Sequence, residues 1–172
     1  MQLRLRVFVL LLLGLSACAS SSGAREVPTE LTRGEPFMLR LPRVGGDELD
    51  LRELRGKVVL VDVWATWCAP CAKSFPFYAR LHEELSDQGF EVVAVSVDER
   101  EQDVAEWMSS NALPFIVVHD PEGTVPERIG LRTMPTAVLV DREGNVTDVH
   151  AGFASTDEPD IERMIRAALS ER

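Results

Sequence analysis

Apolar positions along the chain fall into two patterns. Residues 57–63, 90–97 and 115–118 are short, almost unbroken apolar runs rich in valine. Their length and β-branching predict buried central strands rather than helices. Elsewhere apolar side chains recur at helical spacing. Phe75, Tyr78, Leu81, His82 and Leu85 mark a helix over 70–88, with Gly89 as its stop and a kink expected at Pro76. Val104, Trp107 and Met108 mark a helix over 101–110, and a helical turn is expected at 125–129. Ile161, Met164, Ile165, Ala168 and Leu169 line one face of an amphipathic helix over 157–169. Two strand pairs complete the pattern. Residues 37–41, ended by Pro42, and 48–51 flank Gly45-Gly46-Asp47, while 136–140 and 146–151 flank Glu143-Gly144-Asn145. No internal repeat is visible. The order β-β-β-α-β-α-β-β-β-α predicts an α/β sheet with helices on both faces.

The first thirty residues do not belong to this pattern. Arg4 and Arg6 precede an apolar run over 7–15, too short for the roughly 20 residues a bilayer span needs. It reads as the apolar core of a signal peptide behind a basic start. Leu15-Ser16-Ala17-Cys18 then resembles the bacterial lipobox, in which the cysteine is lipidated and cleavage falls just before it. A soluble secreted protein and an uncleaved anchor are the alternatives. Residues 19–30, with Ser20, Ser21, Ser22, Gly23 and Pro28, have the composition of a flexible tether. The expected organisation is therefore a lipoprotein signal peptide over 1–17, a lipidated cysteine and tether over 18–30, and one folded domain over 31–172.

Charge and cysteine count sharpen this. The formal net charge is −10, the opposite of the basic footprint that phosphate binding requires, so no nucleic-acid partner is expected. Three cysteines are an odd number for a secreted protein. With Cys18 carrying lipid, two remain, three positions apart, and no structural disulfide framework is left to propose. The core must hold by packing.

The chemistry-bearing segment is Trp64-Ala65-Thr66-Trp67-Cys68-Ala69-Pro70-Cys71, where a predicted buried strand meets a predicted helix. Cys68 at the helix start faces unpaired backbone N–H groups and the positive end of the macrodipole, which favour a thiolate. Cys71 lies one helical turn further on, within reach of the first sulfur. Pro70 suits the first turn, where its missing N–H costs nothing. Such a thiolate attacks a disulfide to give a mixed disulfide, which the second cysteine resolves.

Trp67-Cys68-x-Pro70-Cys71 resembles the active site of thioredoxins. Leu54-Arg-Gly-Lys-Val-Val-Leu-Val61 with Trp64-Ala65-Thr66-Trp67 is similar to the membrane-tethered bacterial thiol–disulfide oxidoreductases of the TlpA and ResA type, a group that includes cytochrome c maturation thioredoxins. The likeness spans roughly 37–153. It implies a thioredoxin fold, a central mixed sheet with an N-terminal β-hairpin extension and a central insertion over 99–126. It also implies that Met134-Pro135-Thr136 forms the loop that holds substrate opposite the cysteines, with Pro135 cis and Met134 offering backbone hydrogen bonds and a greasy contact. Trp67 is expected to shield the disulfide and shape the docking face, or else to be a core aromatic.

Two positions depart from the group. Tethered relatives often carry a glutamate three residues after the second cysteine, where this chain has Ser74, and an asparagine where it has Asp62. Thioredoxins place a buried aspartate at the Asp62 position. A carboxyl buried there should have a raised pKa and accept the proton of Cys71 as that residue attacks. The serine at position 74 makes the haem-maturation role a lesser expectation.

The implied activity is reduction of protein disulfides outside the cytoplasm by the Cys68/Cys71 pair. Disulfide oxidase, isomerase and cytochrome c maturation thioredoxin are alternatives; peroxidase and non-enzymatic binding module are weaker ones. Ala69-Pro70 adds no charge beside the nucleophile, which points to a reductant. The resemblance implies an inner-membrane thiol electron donor. Disulfide-containing proteins, the membrane through Cys18, and no second copy of the chain are the expected partners. No cofactor and no metal is expected: His82, His119 and His150 are scattered, and one Cys-x-x-Cys is half a zinc or copper(I) site. The setting is bacterial, extracytoplasmic and lipid-anchored, with inner and outer membrane both open.

Overall fold

The computed structural model describes residues 31–171. The segments expected to be signal peptide and tether, with Cys18, lie outside the described residues. Five strands form the central sheet: β3 (Val58–Trp64), β4 (Phe90–Ser96), β5 (Ile116–His119), β6 (Thr136–Val140) and β7 (Val146–Ala151), in the order β5-β4-β3-β6-β7. The first three run parallel, and β6 and β7 are antiparallel to their neighbours. β3 and β4 are buried along their whole length, as continuous apolar runs in the middle of a covered sheet should be. The short pair β1 (Arg40–Pro42) and β2 (Glu48–Asp50) forms a separate antiparallel hairpin.

Alternation along β3 sends side chains to two cores. Val58, Leu60 and Trp64 face α1 (Ala69–Leu85), α2 (Glu101–Ser110) and α4 (Glu158–Ser170), in a cluster with Phe75, Leu81, Val104, Ile161 and Ile165. Val59, Val61 and Val63 face the opposite side, where α3 (Thr124–Ile129) contributes Val125 and Ile129 and the N-terminal segment contributes Phe37, Leu39 and Leu49. That segment crosses the whole face. The Gly34 amide donates to the Val146 carbonyl at the start of β7, the Val146 amide donates to the Glu35 carbonyl, and Val44 donates to Val117 on β5 at the other edge.

The elements match the predicted order, with shifts at their ends. The helix over 70–88 stops at Leu85 and continues as a 3-10 turn, Ser86–Gln88, before Gly89 takes the left-handed conformation at φ 88°. Pro76 lies inside α1 without ending it. The first strand is Arg40–Pro42 rather than 37–41, because the Phe37 amide donates to Gly144 in the β6–β7 turn and not to the hairpin. Pro42 sits within the strand, on an edge where a missing N–H is tolerated. Gly144 leaves a Cβ-sized gap that the Arg55 guanidinium fills.

Candidate active site

The site forms where the C-terminal end of β3 turns into α1. Cys68 is the N-cap of the helix in extended conformation, and its Sγ accepts the Cys71 N–H at 3.3 Å. The two sulfurs are bonded to each other, with Cα atoms 5.3 Å apart. Cys68 keeps 6% of its surface exposed while Cys71 is fully buried. Cys68 is therefore the sulfur that reaches the surface, with Cys71 held behind it. Pro70, in the first turn, and Ala69 are exposed.

Trp67 is 69% exposed, so it is not a core aromatic but a surface ring next to Cys68 in the chain. Trp64 is the buried one, with its ring 4.9 Å from both Phe75 and Trp107. The Met134–Pro135 bond is cis. Thr136 pairs with Val63 on β3, so Met134 and Pro135 lie beyond the same end of the sheet as Cys68. Pro135 is buried, its carbonyl accepting from Gly152 at 2.7 Å, and the Thr136 hydroxyl donates to the Thr133 carbonyl. Met134 is half-buried between the two cores.

Asp62 is fully buried. It sits between Leu60 and Trp64 on the strand face that packs on α1. Neither of its oxygens is hydrogen-bonded. Burial pushes its pKa well above the ordinary carboxylate range, opposed by the nearby Tyr78 hydroxyl. Ser74, also fully buried, donates to the Cys71 carbonyl at 2.8 Å.

One residue escaped the sequence reading. Asp98, just past β4 and almost fully buried, accepts from the Thr66 amide at 3.0 Å, the Thr66 hydroxyl at 2.6 Å and the Ser96 hydroxyl at 2.8 Å. Its backbone carbonyl accepts from His119 Nε2 at 2.7 Å. Asp98 thereby anchors the loop that presents Trp67 and Cys68. Its sequence neighbours carry no motif, and the only signal was an acid directly after an apolar strand. His82 instead pairs with Glu91, which also binds Lys57. His150 stands 3.6 Å from Asp157. The three histidines do not converge.

The strand–Cys-x-x-Cys–helix junction lies within residues 26–165, which match the Redoxin family. The chain belongs to the Redoxin family. Similar curated proteins include the thiol-disulfide oxidoreductase ResA of Bacillus subtilis, 37% identical over 112 residues, covering 65% of this chain and 63% of that one. ResA of Halalkalibacterium halodurans is 36% identical over 107 residues, covering 62% and 61%. The chain thus spans a little over three fifths of the length of these relatives. Among solved structures, a Chlorobium tepidum protein assigned as a thiol:disulfide interchange protein DsbE superposes with a TM-score of 0.79 at 36% identity, over 82% of this chain and 100% of that one. The exposed lipoprotein thioredoxin Etrx1 of Streptococcus pneumoniae superposes at 0.67 with 27% identity, over 76% and 99%. The superpositions agree with a thioredoxin-like fold for this chain.

Proposed function

We propose that this redoxin is a thiol–disulfide oxidoreductase that reduces protein disulfides through Cys68 and Cys71. The observation that carries it is the bonded pair at the start of α1, one sulfur at the surface and the other buried behind it. The thiolate of reduced Cys68 attacks a substrate disulfide, forming a mixed disulfide and expelling one substrate thiolate. Cys71 then attacks Cys68, forming the intramolecular bond and releasing the second substrate thiol. Two electrons pass from the cysteine pair to the substrate. ResA relatives at 36% and 37% identity support this chemistry.

The direction follows from the electrostatics of the pair. The helix start stabilises the Cys68 thiolate, but Ala69 and Pro70 add no cation, so the reduced form gains less than in strong oxidants. The potential should lie near thioredoxin's, roughly −270 mV. Equilibration against glutathione and dithiothreitol buffers, read by alkylation, tests this. A value above about −180 mV would make the protein an oxidase or isomerase, and an unreactive pair would end the assignment.

Asp62 serves as proton acceptor for Cys71, supported by its complete burial on the face of β3 that packs against α1. Met134, Pro135 and Thr136 form the substrate-facing loop, supported by their position beyond the cysteine end of the sheet. The working unit is a monomer anchored outside the cytoplasm through lipid on Cys18 and supplied by a membrane thiol donor. The exposed lipoprotein thioredoxin among the structural relatives supports the anchor.

A further inference from the structure

This inference rests on Asp62 as proton acceptor and adds a second residue to it. Cys71, Ser74 and Tyr78 recur along one face of α1 at helical spacing, and all three are fully buried. Asp62 faces this row from β3. The Tyr78 hydroxyl lies beside both the Asp62 carboxyl and the Ser74 hydroxyl. In the disulfide state the Tyr78 hydroxyl has no hydrogen-bond partner, and both Asp62 oxygens are likewise unpaired. Two buried polar groups on packed faces that remain unpaired carry a desolvation cost that pairing them would remove.

We infer that Tyr78 is a positioning residue for the redox reaction, whose hydroxyl donates to the Asp62 carboxylate when Asp62 is ionised and so sets its readiness to take the Cys71 proton. Burial and the Asp62 charge both push the Tyr78 pKa up, so the phenol stays a neutral donor. The surroundings leave this donor little competition. Ala94 on β4 and Ala137 on β6 flank Asp62 in the sheet, and α4 brings Ile161 and Ile165 to the same core. On α1 the other polar neighbours are Ser74, which is neutral, and Cys71. Among the described residues, Tyr78 is the titratable group that acts on Asp62.

The step balances without a further reactant. As the Cys68–substrate mixed disulfide is resolved, the Cys71 S–H proton passes to Asp62, the Cys71–Cys68 bond forms, and the Cys68–substrate bond breaks with its electron pair leaving on the substrate sulfur. A hydrogen bond from Tyr78 stabilises the base before transfer and weakens as the proton arrives. It therefore lowers the pH at which the base becomes available.

The test is the pH profile of mixed-disulfide resolution by stopped flow in the wild type, Tyr78→Phe, Asp62→Asn and the double variant. The wild-type rate should rise with pH along one limb, which Asp62→Asn abolishes. Tyr78→Phe should move that limb to higher pH by about one to two units. In the Asp62→Asn background it should change nothing. Because Tyr78 is the chain's one tyrosine, global 3-fluorotyrosine labels it alone and leaves the fold intact. The more acidic phenol should move the limb to lower pH, and its 19F shift should titrate with the midpoint of the limb. A limb unmoved by either phenol change overturns the role of Tyr78 while leaving Asp62 in place. A limb that survives Asp62→Asn overturns Asp62, and Tyr78 with it.

Discussion

Single residues set the chemistry here through burial more than through identity. Asp98 stabilises the active-site loop by accepting three hydrogen bonds, two of them from Thr66. Asp98→Ala leaves those donors unpaired and should cost about 2–3 kcal/mol in chemical denaturation of the oxidised protein, with Trp67 emission reporting a loosened loop. Asp62 works in the opposite sense. Its folded pKa is raised by burial, so the folded state binds more protons than the unfolded chain between the unfolded and folded pKa values. Stability is therefore greatest below the unfolded pKa and falls as pH rises toward the folded one. Asp62→Asn, which cannot ionise, should raise the melting temperature of the oxidised protein at pH 7 by roughly 3–8 °C. That gain should shrink as the measurement moves toward pH 4, and a gain independent of pH would show that the carboxyl is not held uncharged by its surroundings.

At the scale of elements, α1 carries the site and Gly89 ends the 3-10 turn that follows it. The glycine adopts φ 88°, and a Cβ there would meet the Arg142 guanidinium at 2.8 Å. That arginine also donates to the Gly56, Gln88 and Leu169 carbonyls, binding the ends of α1 and α4 to the turn before β3. Gly89→Ala should destabilise the protein by about 1–2 kcal/mol in urea titrations while leaving the redox potential unchanged, since Gly89 follows the end of α1 far from Cys68. The elements were readable because their periodicities differ. The helix over 101–110 and the strands over 136–140 and 146–151 were placed at the residues they occupy. The misplaced boundary at β1 has a clear cause. Phe37, Leu39 and Leu41 alternate into the core whichever strand they join, so the side-chain pattern does not say that the Phe37 backbone pairs with Gly144 instead.

For the whole molecule, the N-terminal segment matters beyond its length. It covers the second face of the sheet from β7 to β5 and supplies that core with Phe37, Leu39 and Leu49. Ahead of it, the proposed anchor makes location a property of one sulfur. Cys18→Ala should move the protein from the membrane to the soluble extracytoplasmic fraction and remove the lipid mass from the intact protein, with disulfide reduction by the purified domain unchanged. A Cys18→Ala variant that still sediments with membranes would place the attachment elsewhere.

The redox pair, the class of fold and the order of its elements could be read from the chain alone, because each depends on interactions within a few residues: a helix start beside a thiol, or a two- or 3.6-residue apolar period. Which sulfur reaches the surface, that Trp67 rather than Trp64 stands exposed, that Asp98 grips Thr66 across 32 positions, and that Tyr78 faces Asp62 could not. Those follow from how β3, β4 and α1 pack together, and local periodicity carries no record of which distant side chain fills the space opposite.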